Sequence, residues 1–511
     1  MKNMTLQNIT EACRGTLLTV SGENVSSEEI TGVVIDSRKL APGNLFVAIV
    51  GNRVDGHTFT TQVLREGAAA VVVERMPSAV TGPVILVKST EEALRDIAAF
   101  YRASLGVTVV GITGSVGKTS TKETVAAVLS KKYRVLSTEG NFNNEIGLPL
   151  TIFRMMEETE IAVLEMGISN FDEMTRLSAI AQPDIAVITN IGECHLEFLG
   201  DRDGVLKAKS EIFTGLKENG TAVLCGDDDK LQTVKEVNGK KPFFFGTDAE
   251  CDIYADSISP KGLTGIGMEL HFPGESAGKA VTIHVPGRHN VYNALAGASV
   301  GWLLKMTPDE IAEGIESYRT IPGRSNVIRT ENLTILDDCY NANPASMKEA
   351  LDTLSLSDGR RIAVLGDMGE LGERERELHR SVGEHLSGTG IEAVFCAGEL
   401  SECLAEEVRR LSPEKAVFSF ETKEELMEKL QQTVDRLGSS ASIPAKKDPR
   451  VEALRAAAGK SLRLNLMAEQ AAAQMTAVAS LNRSHAVPQG SPQDEPWYRR
   501  AEWNENDDFL R

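Results

Sequence analysis

Hydrophobic residues fall into short uninterrupted runs, separated by polar stretches with helical spacing. In residues 1–104, β-branched runs at Gly32–Asp36, Leu45–Val50, Ala69–Val73 and Val84–Val87 alternate with turn signals. Between the last run and the block's end, Glu91–Tyr101 sets Ala93, Leu94, Ile97 and Ala98 on one helical face. In residues 105–320, the apolar runs Val107–Val110, Ile161–Leu164, Ile185–Thr189 and Ala222–Cys225 are separated by helical patterns. Strands without polar alternation are buried on both faces, so this block predicts a doubly wound parallel α/β sheet. It closes on a helix over His289–Leu304. Residues 321–437 repeat the α/β alternation, with strands at Thr334–Leu336, Ile362–Leu365, Ala393–Cys396 and Val417–Phe420 and a last helix at Lys423–Leu437. Residues 438–511 differ: an Ala-rich stretch, Val451–Leu481, predicts a loosely attached helix, and the polar end carrying Trp497 and Trp503 predicts disorder. The pattern therefore predicts an α/β chain of three domains and an atypical tail.

Composition narrows the function. The 511 residues carry 54 Lys and Arg against 73 Asp and Glu, a net charge of −19. Such a balance argues against general nucleic-acid or anionic-membrane binding, both of which need a basic face. No apolar stretch approaches the ~18 residues of a membrane span, and the N-terminus lacks a signal-type apolar block. The seven cysteines are scattered, with no C-x2-C pair, which excludes a disulfide framework or zinc site. A cytoplasmic, monomeric protein acting on small molecules is expected.

The strongest chemical signal is the run Gly111-Ile112-Thr113-Gly114-Ser115-Val116-Gly117-Lys118-Thr119-Ser120. It joins a buried strand to a helix predicted over Lys118–Tyr133, the setting a phosphate loop requires. The usual spacing would put a glycine at Ile112; here glycines stand at 111, 114 and 117 instead. Glycines let backbone N–H groups converge on a phosphate, and the helix start adds positive potential. Gly114, Ser115, Gly117, Lys118, Thr119 and Ser120 are thus expected to bind ATP, with Lys118 on the β/γ-phosphates and a Thr119 or Ser120 hydroxyl on Mg²⁺.

Two neighbouring strand ends supply candidate ligands. Glu165 closes Ile161–Leu164, and His195 follows the strand ending at Thr189. The carboxyl edge of such a sheet is where ligands gather, and Mg²⁺ prefers oxygen donors. Taken singly, Glu165 could equally be a solvated strand-end glutamate and His195 a structural histidine. Lys207 and Lys209 lie on one predicted helix, and the local pattern does not choose between them.

Together, the phosphate run, Glu165-Met166-Gly167, Asn190-Ile191-Gly192 through His195, Ala208-Lys209 and Gly287-Arg288-His289-Asn290-x-x-Asn293-Ala294 resemble the Mur ligase family. These are ATP-dependent amide-forming enzymes of peptidoglycan precursor synthesis. Asp36-Ser37-Arg38, Asn141-x-Asn143-Asn144, Asp338-x-Tyr340-Asn341-Ala342-Asn343-Pro344 and Gly366-Asp367-Met368-Gly369-Glu370-Leu371-Gly372 are similar to one branch of it. That branch joins D-alanyl-D-alanine to UDP-N-acetylmuramoyl-tripeptide through an acyl phosphate.

The resemblance implies a UDP-substrate domain (1–104), a central P-loop ATPase domain (105–320) and a C-terminal Rossmann-like domain for the amino substrate (321–437). It implies that Asp36, Ser37 and Arg38 bind the UDP moiety, and that Thr119, Glu165, His195 and a carbamylated Lys209 hold Mg²⁺. Asn290 and Asn293 would contact adenine, Arg324 and Asp338 would reach the nucleotide, and Asn143, Asn144, Tyr340, Asn341 and Asp367 would line the substrate sites. Two alternatives stay open: a sibling ligase adding one amino acid, and a nucleotide-binding protein with impaired catalysis. The second arises because nothing after Leu437 matches the family's last strand and its Lys-[Gly/Ala]-Ser-Arg turn, which predicts an open edge in the third sheet.

Overall fold

In the computed structural model, the described residues are all except 20–26, 28, 52–53, 78, 80, 331–332, 431–475 and 482–511. The apolar runs become three sheets. The first holds β1 (Thr16–Leu18), β2 (Gly32–Val34), β3 (Asn44–Val47), β4 (Ala70–Val73) and β5 (Val84–Leu86) in the order β1-β5-β4-β3-β2. Only β1 is antiparallel to its neighbour.

The central sheet has nine strands in the order β14-β13-β12-β11-β10-β9-β6-β8-β7. They are β6 (Thr108–Thr113), β7 (Val135–Ser137), β8 (Ile161–Glu165), β9 (Ile185–Ile188), β10 (Thr221–Cys225), β11 (Phe243–Gly246), β12 (Ile253–Pro260), β13 (Ile266–His271) and β14 (Lys279–Ile283). From β7 to β12 it is parallel, and β13 and β14 add an antiparallel ribbon. Strands β8, apolar up to its terminal Glu165, and β9 are buried along their whole length, as their unalternating sequences predict. Every connection between parallel strands here needs a crossover, so the loops at the carboxyl ends of β6, β8 and β9 share one edge.

The first two sheets have a common core. One continuous cluster of buried side chains runs from Met4 to Tyr318. Helix Thr90–Ser104 welds the two: Tyr101 donates its hydroxyl to Met155 O (2.7 Å), and buried Arg102 donates to Ala181 O (2.9 Å) and Gln182 O (3.1 Å). The third sheet has clusters of its own on its two faces, around Leu351 and Leu365 and around Phe395 and Leu426.

That third sheet departs from expectation. Its strands are β15 (Asn326–Arg329), β16 (Thr334–Asp337), β17 (Arg360–Gly366), β18 (Ala393–Ala397), β19 (Ala416–Phe420) and β20 (Thr476–Leu481), in the order β15-β16-β20-β17-β18-β19. β20 lies in the middle, antiparallel to both β16 and β17. The end of the stretch expected to be helical is therefore a strand, and the position between β16 and β17 is filled rather than open. Ala-rich composition favours helix only weakly, and pairing on both edges overrides it. The helix expected at Lys423–Leu437 is described over 423–430; the rest of it, residues 451–475 and the end expected to be disordered lie outside the described residues. Among the described residues, no helix is long and apolar enough to cross a membrane.

Candidate active site

The phosphate loop leaves the carboxyl end of β6. Gly114 has φ 155°, and a Cβ there would lie 1.9 Å from Thr189 Oγ1. Gly117, at φ 81°, caps helix Lys118–Leu129; glycine accepts both conformations without strain. The loop is pinned to the segment after β9. Ser115 N donates to Asn190 O (3.1 Å), Val116 N to Asn190 Oδ1 (3.0 Å), Asn190 Nδ2 to Val116 O (3.0 Å), and Gly192 N to Ser115 Oγ (2.8 Å). Lys118 folds back over the loop and donates to Gly114 O at 3.0 Å. The Ser120 side chain is a hydrogen-bond neighbour of Tyr318, whose phenol burial pushes up to about 12.

Around this loop, several buried polar atoms lack hydrogen-bond partners. Glu165, at the end of β8, is 2% exposed. Its N–H donates to Thr138 Oγ1 (3.0 Å) and its Oε1 accepts from Asn143 Nδ2 (2.9 Å), while Oε2 has no partner. Gly167 makes room for Asn143, since a Cβ there would stand 3.0 Å from Nδ2. Lys209 is fully buried with an unpartnered Nζ, and burial, then the nearby Lys118 cation, lowers its pKa to about 8. Lys207 lies elsewhere, over the Phe171 ring at 5.3 Å, so the two lysines that local pattern left tied are separated. His195 sits at φ 52°, with Nδ1 2.7 Å from Glu370 Oε2 but without hydrogen-bond alignment.

Unsatisfied buried groups are costly and rare. Mg²⁺ takes oxygen donors, which the Glu165 carboxylate, the Thr119 hydroxyl and, once carbamylated, Lys209 would supply beside the phosphate loop, so these residues fit it.

The third domain reaches into the same place. Arg324 Nη2 lies 3.5 Å from Thr119 Oγ1, and its guanidinium stacks 4.1 Å from the exposed Tyr340 ring. Gly323 N and Ser325 N donate to Asp337 Oδ2 and Asp338 Oδ1, both at 2.9 Å, fixing the turn that carries Arg324. Burial raises the Asp338 carboxyl above its ordinary range. Two contacts that sequence reading missed span the cleft: Glu370 to His195, and Arg374 to Glu193 (3.1 Å). Glu370 stood inside a run read as a family motif with only Asp367 assigned a role, whereas Arg374 and Glu193 carry no local signal.

Other predicted residues serve the frame. Asn293 Nδ2 donates to Asn290 Oδ1 (2.9 Å) and Thr121 Oγ1 to Asn293 Oδ1 (2.8 Å), so this buried pair braces helix His289–Leu303 against the P-loop helix. Asn144 Oδ1 accepts from Gly147 N (2.8 Å), Asp367 Oδ1 from Ser401 N (2.7 Å), and Asn341 Oδ1 from Ala342 N (3.0 Å). Asp36, Ser37 and Arg38 form the turn after β2 in the first sheet, where the Arg38 guanidinium holds the Asp36 carboxyl below its usual range.

Three family descriptions match in chain order: the Mur ligase family catalytic domain over residues 29–102, the Mur ligase middle domain over 112–301, and the Mur ligase glutamate ligase domain over 323–438. The chain belongs to the Mur ligase family. Among Mur ligases, it is 39% identical to the UDP-N-acetylmuramoyl-tripeptide--D-alanyl-D-alanine ligase of Bacillus subtilis, over 85% of this chain and 94% of that one. The Escherichia coli enzyme of the same name is 38% identical over 79% and 88%. Among solved structures, MurF from Acinetobacter baumannii superposes with a TM-score of 0.78 at 30% identity, covering 84% of this chain and 92% of that one. The Thermotoga maritima MurF ligase in complex with ADP gives 0.71 at 32%, covering 85% and 98%.

Proposed function

We propose that this protein is an ATP-dependent, ADP-forming ligase that joins D-alanyl-D-alanine to UDP-N-acetylmuramoyl-tripeptide in the cytoplasm. The observation that carries the reading is a pair of buried atoms without partners near one phosphate loop, Glu165 Oε2 and Lys209 Nζ. Relatives that carry this activity in their names support the choice of substrates.

The terminal carboxylate of the tripeptide attacks the γ-phosphorus, the bond to the ADP oxygen breaks, and an acyl phosphate forms. Lys118 and the N–H groups opening its helix stabilise the charge spread over the phosphoryl oxygens. Thr119, Glu165, His195 and Lys209 as a carbamate would hold Mg²⁺, which when bound would supply positive charge to offset that of the phosphates. The free amine of D-Ala-D-Ala then attacks the carbonyl carbon and loses a proton as inorganic phosphate leaves. Arg324, brought beside Thr119, reaches the nucleotide from the third domain. The Glu370–His195 and Arg374–Glu193 contacts hold that domain over the site, which keeps water from the acyl phosphate. Asn290 and Asn293 would contact adenine while bracing the P-loop helix, and Asp36, Ser37 and Arg38 would bind the UDP moiety.

Phosphate release by the full chain tests the reading. Release is expected only when UDP-N-acetylmuramoyl-tripeptide and D-Ala-D-Ala are both present, with tripeptides ending in a diamino diacid and in lysine compared side by side. Equal release with a single amino acid in place of the dipeptide would point to a sibling ligase, and nucleotide binding without turnover would reject catalysis.

A further inference from the structure

One buried cation near the loop has no part in the chemistry above. Lys122 stands one helical turn beyond Lys118 and is 1% exposed. Its ammonium donates to the carbonyl oxygen of Thr138 and pairs with Glu123 (2.7 Å). Thr138, also 1% exposed, directly follows β7, the edge strand of the central sheet. Its N–H donates to Val163 O (3.1 Å), and its hydroxyl accepts the N–H of Glu165 (3.0 Å). β7 has ended at Ser137, so no strand neighbour is left for the Glu165 N–H on that side, and the Thr138 hydroxyl takes that place.

We propose that Lys122 is a positioning residue for the metal site: it anchors Thr138, and through the Thr138 hydroxyl it fixes the strand end that aims Glu165 at the cation. This rests on the reading of Glu165 as a metal ligand. Stability alone does not account for the charge, because a buried ammonium loses its hydration and a well-packed apolar side chain of similar volume is often at least as stable. The ammonium supplies what an apolar chain cannot, a directed bond to an edge carbonyl that no strand covers. Asn143 holds the carboxylate from the other end through Oε1. Backbone and side chain of Glu165 are thus fixed separately, leaving Oε2 unengaged. Outer partners of this kind commonly affect metal affinity by about 10–100-fold.

Mn²⁺ binding to the ADP complex, followed by the electron paramagnetic resonance of free Mn²⁺, reads this without turnover. Lys122→Met and Thr138→Val should each weaken Mn²⁺ binding about tenfold, and the double variant should be no weaker than either, since they share one path. Thr138→Ser keeps the hydroxyl and should stay within about twofold of the parent. ADP affinity in the presence of EDTA should not move. If Lys122→Met fails to fold, Lys122→Gln, too short to reach the Thr138 carbonyl, takes its place with the same expectation of about tenfold weaker Mn²⁺ binding. Parent-like Mn²⁺ affinity in Lys122→Met and Thr138→Val, with weakened binding in Glu165→Gln, would overturn the proposal while leaving the site intact. Unchanged affinity in Glu165→Gln would remove the metal role of Glu165 and the proposal with it.

Discussion

Lys118→Ala lowers kcat by about 10²–10³-fold, a loss of roughly 3–4 kcal/mol of transition-state stabilisation, while the thermal midpoint stays close to the parent's. The ammonium donates only to carbonyls of its own loop, Gly114 O at 3.0 Å and Ser115 O at 3.4 Å. Both bonds lie within the loop itself, and removing them breaks no contact with the rest of the fold, so the fold loses little. The transition state loses its nearest fixed positive charge at the moment the phosphoryl group is transferred. Steady-state phosphate release and a thermal melt of the same preparation check both halves. Activity within about tenfold of the parent would remove Lys118 from the phosphates.

The second large effect is at Lys209. A fully buried amine with a pKa lowered to about 8 has a far larger neutral fraction near physiological pH than an ordinary lysine, about a fifth of the amine, and only the neutral amine adds to CO₂. The nitrogen attacks the carbon, one proton leaves, and a cation becomes an anionic carbamate able to bind metal. The neutral fraction increases as pH rises through about 8 and falls below it. Enzyme stripped of CO₂ should therefore regain activity on addition of bicarbonate, and faster at pH 8.5 than at pH 7. Lys209→Ala should lose about 100-fold or more in kcat and gain nothing from bicarbonate. Ligation rates in degassed buffer with and without bicarbonate measure this, and a fully active alanine variant would refute carbamylation.

How much the sequence disclosed depends on the range of the forces involved. Runs such as Ile161–Leu164 and Ile185–Ile188 were legible because burial on both faces leaves them unbroken and apolar. The phosphate loop was legible because its glycines and lysine are consecutive. The choice between Lys207 and Lys209 was not, since burial of one and solvation of the other are properties of the packed helix. Contacts across the cleft were hidden for a similar reason: Arg374 and Glu193 are 181 residues apart and each is an ordinary surface charge until the domains meet. β20 was misread because its Ala-rich neighbourhood suggests helix, and only the gap between β16 and β17 makes it a strand. Asn290 and Asn293 were read as ligand contacts, yet most of their hydrogen bonding is inward.

The weld made by Tyr101 and Arg102 has a calorimetric consequence. Three sequence domains should give two heat-absorption peaks rather than three, because one face of the first sheet shares a continuous core with the central sheet, although its other face has a cluster of its own. The larger peak belongs to that pair and the smaller to the third sheet, whose apolar clusters stand alone. A nucleotide gripped from both sides of the cleft should draw the two peaks together, whereas UDP held by the first sheet alone should move only the larger.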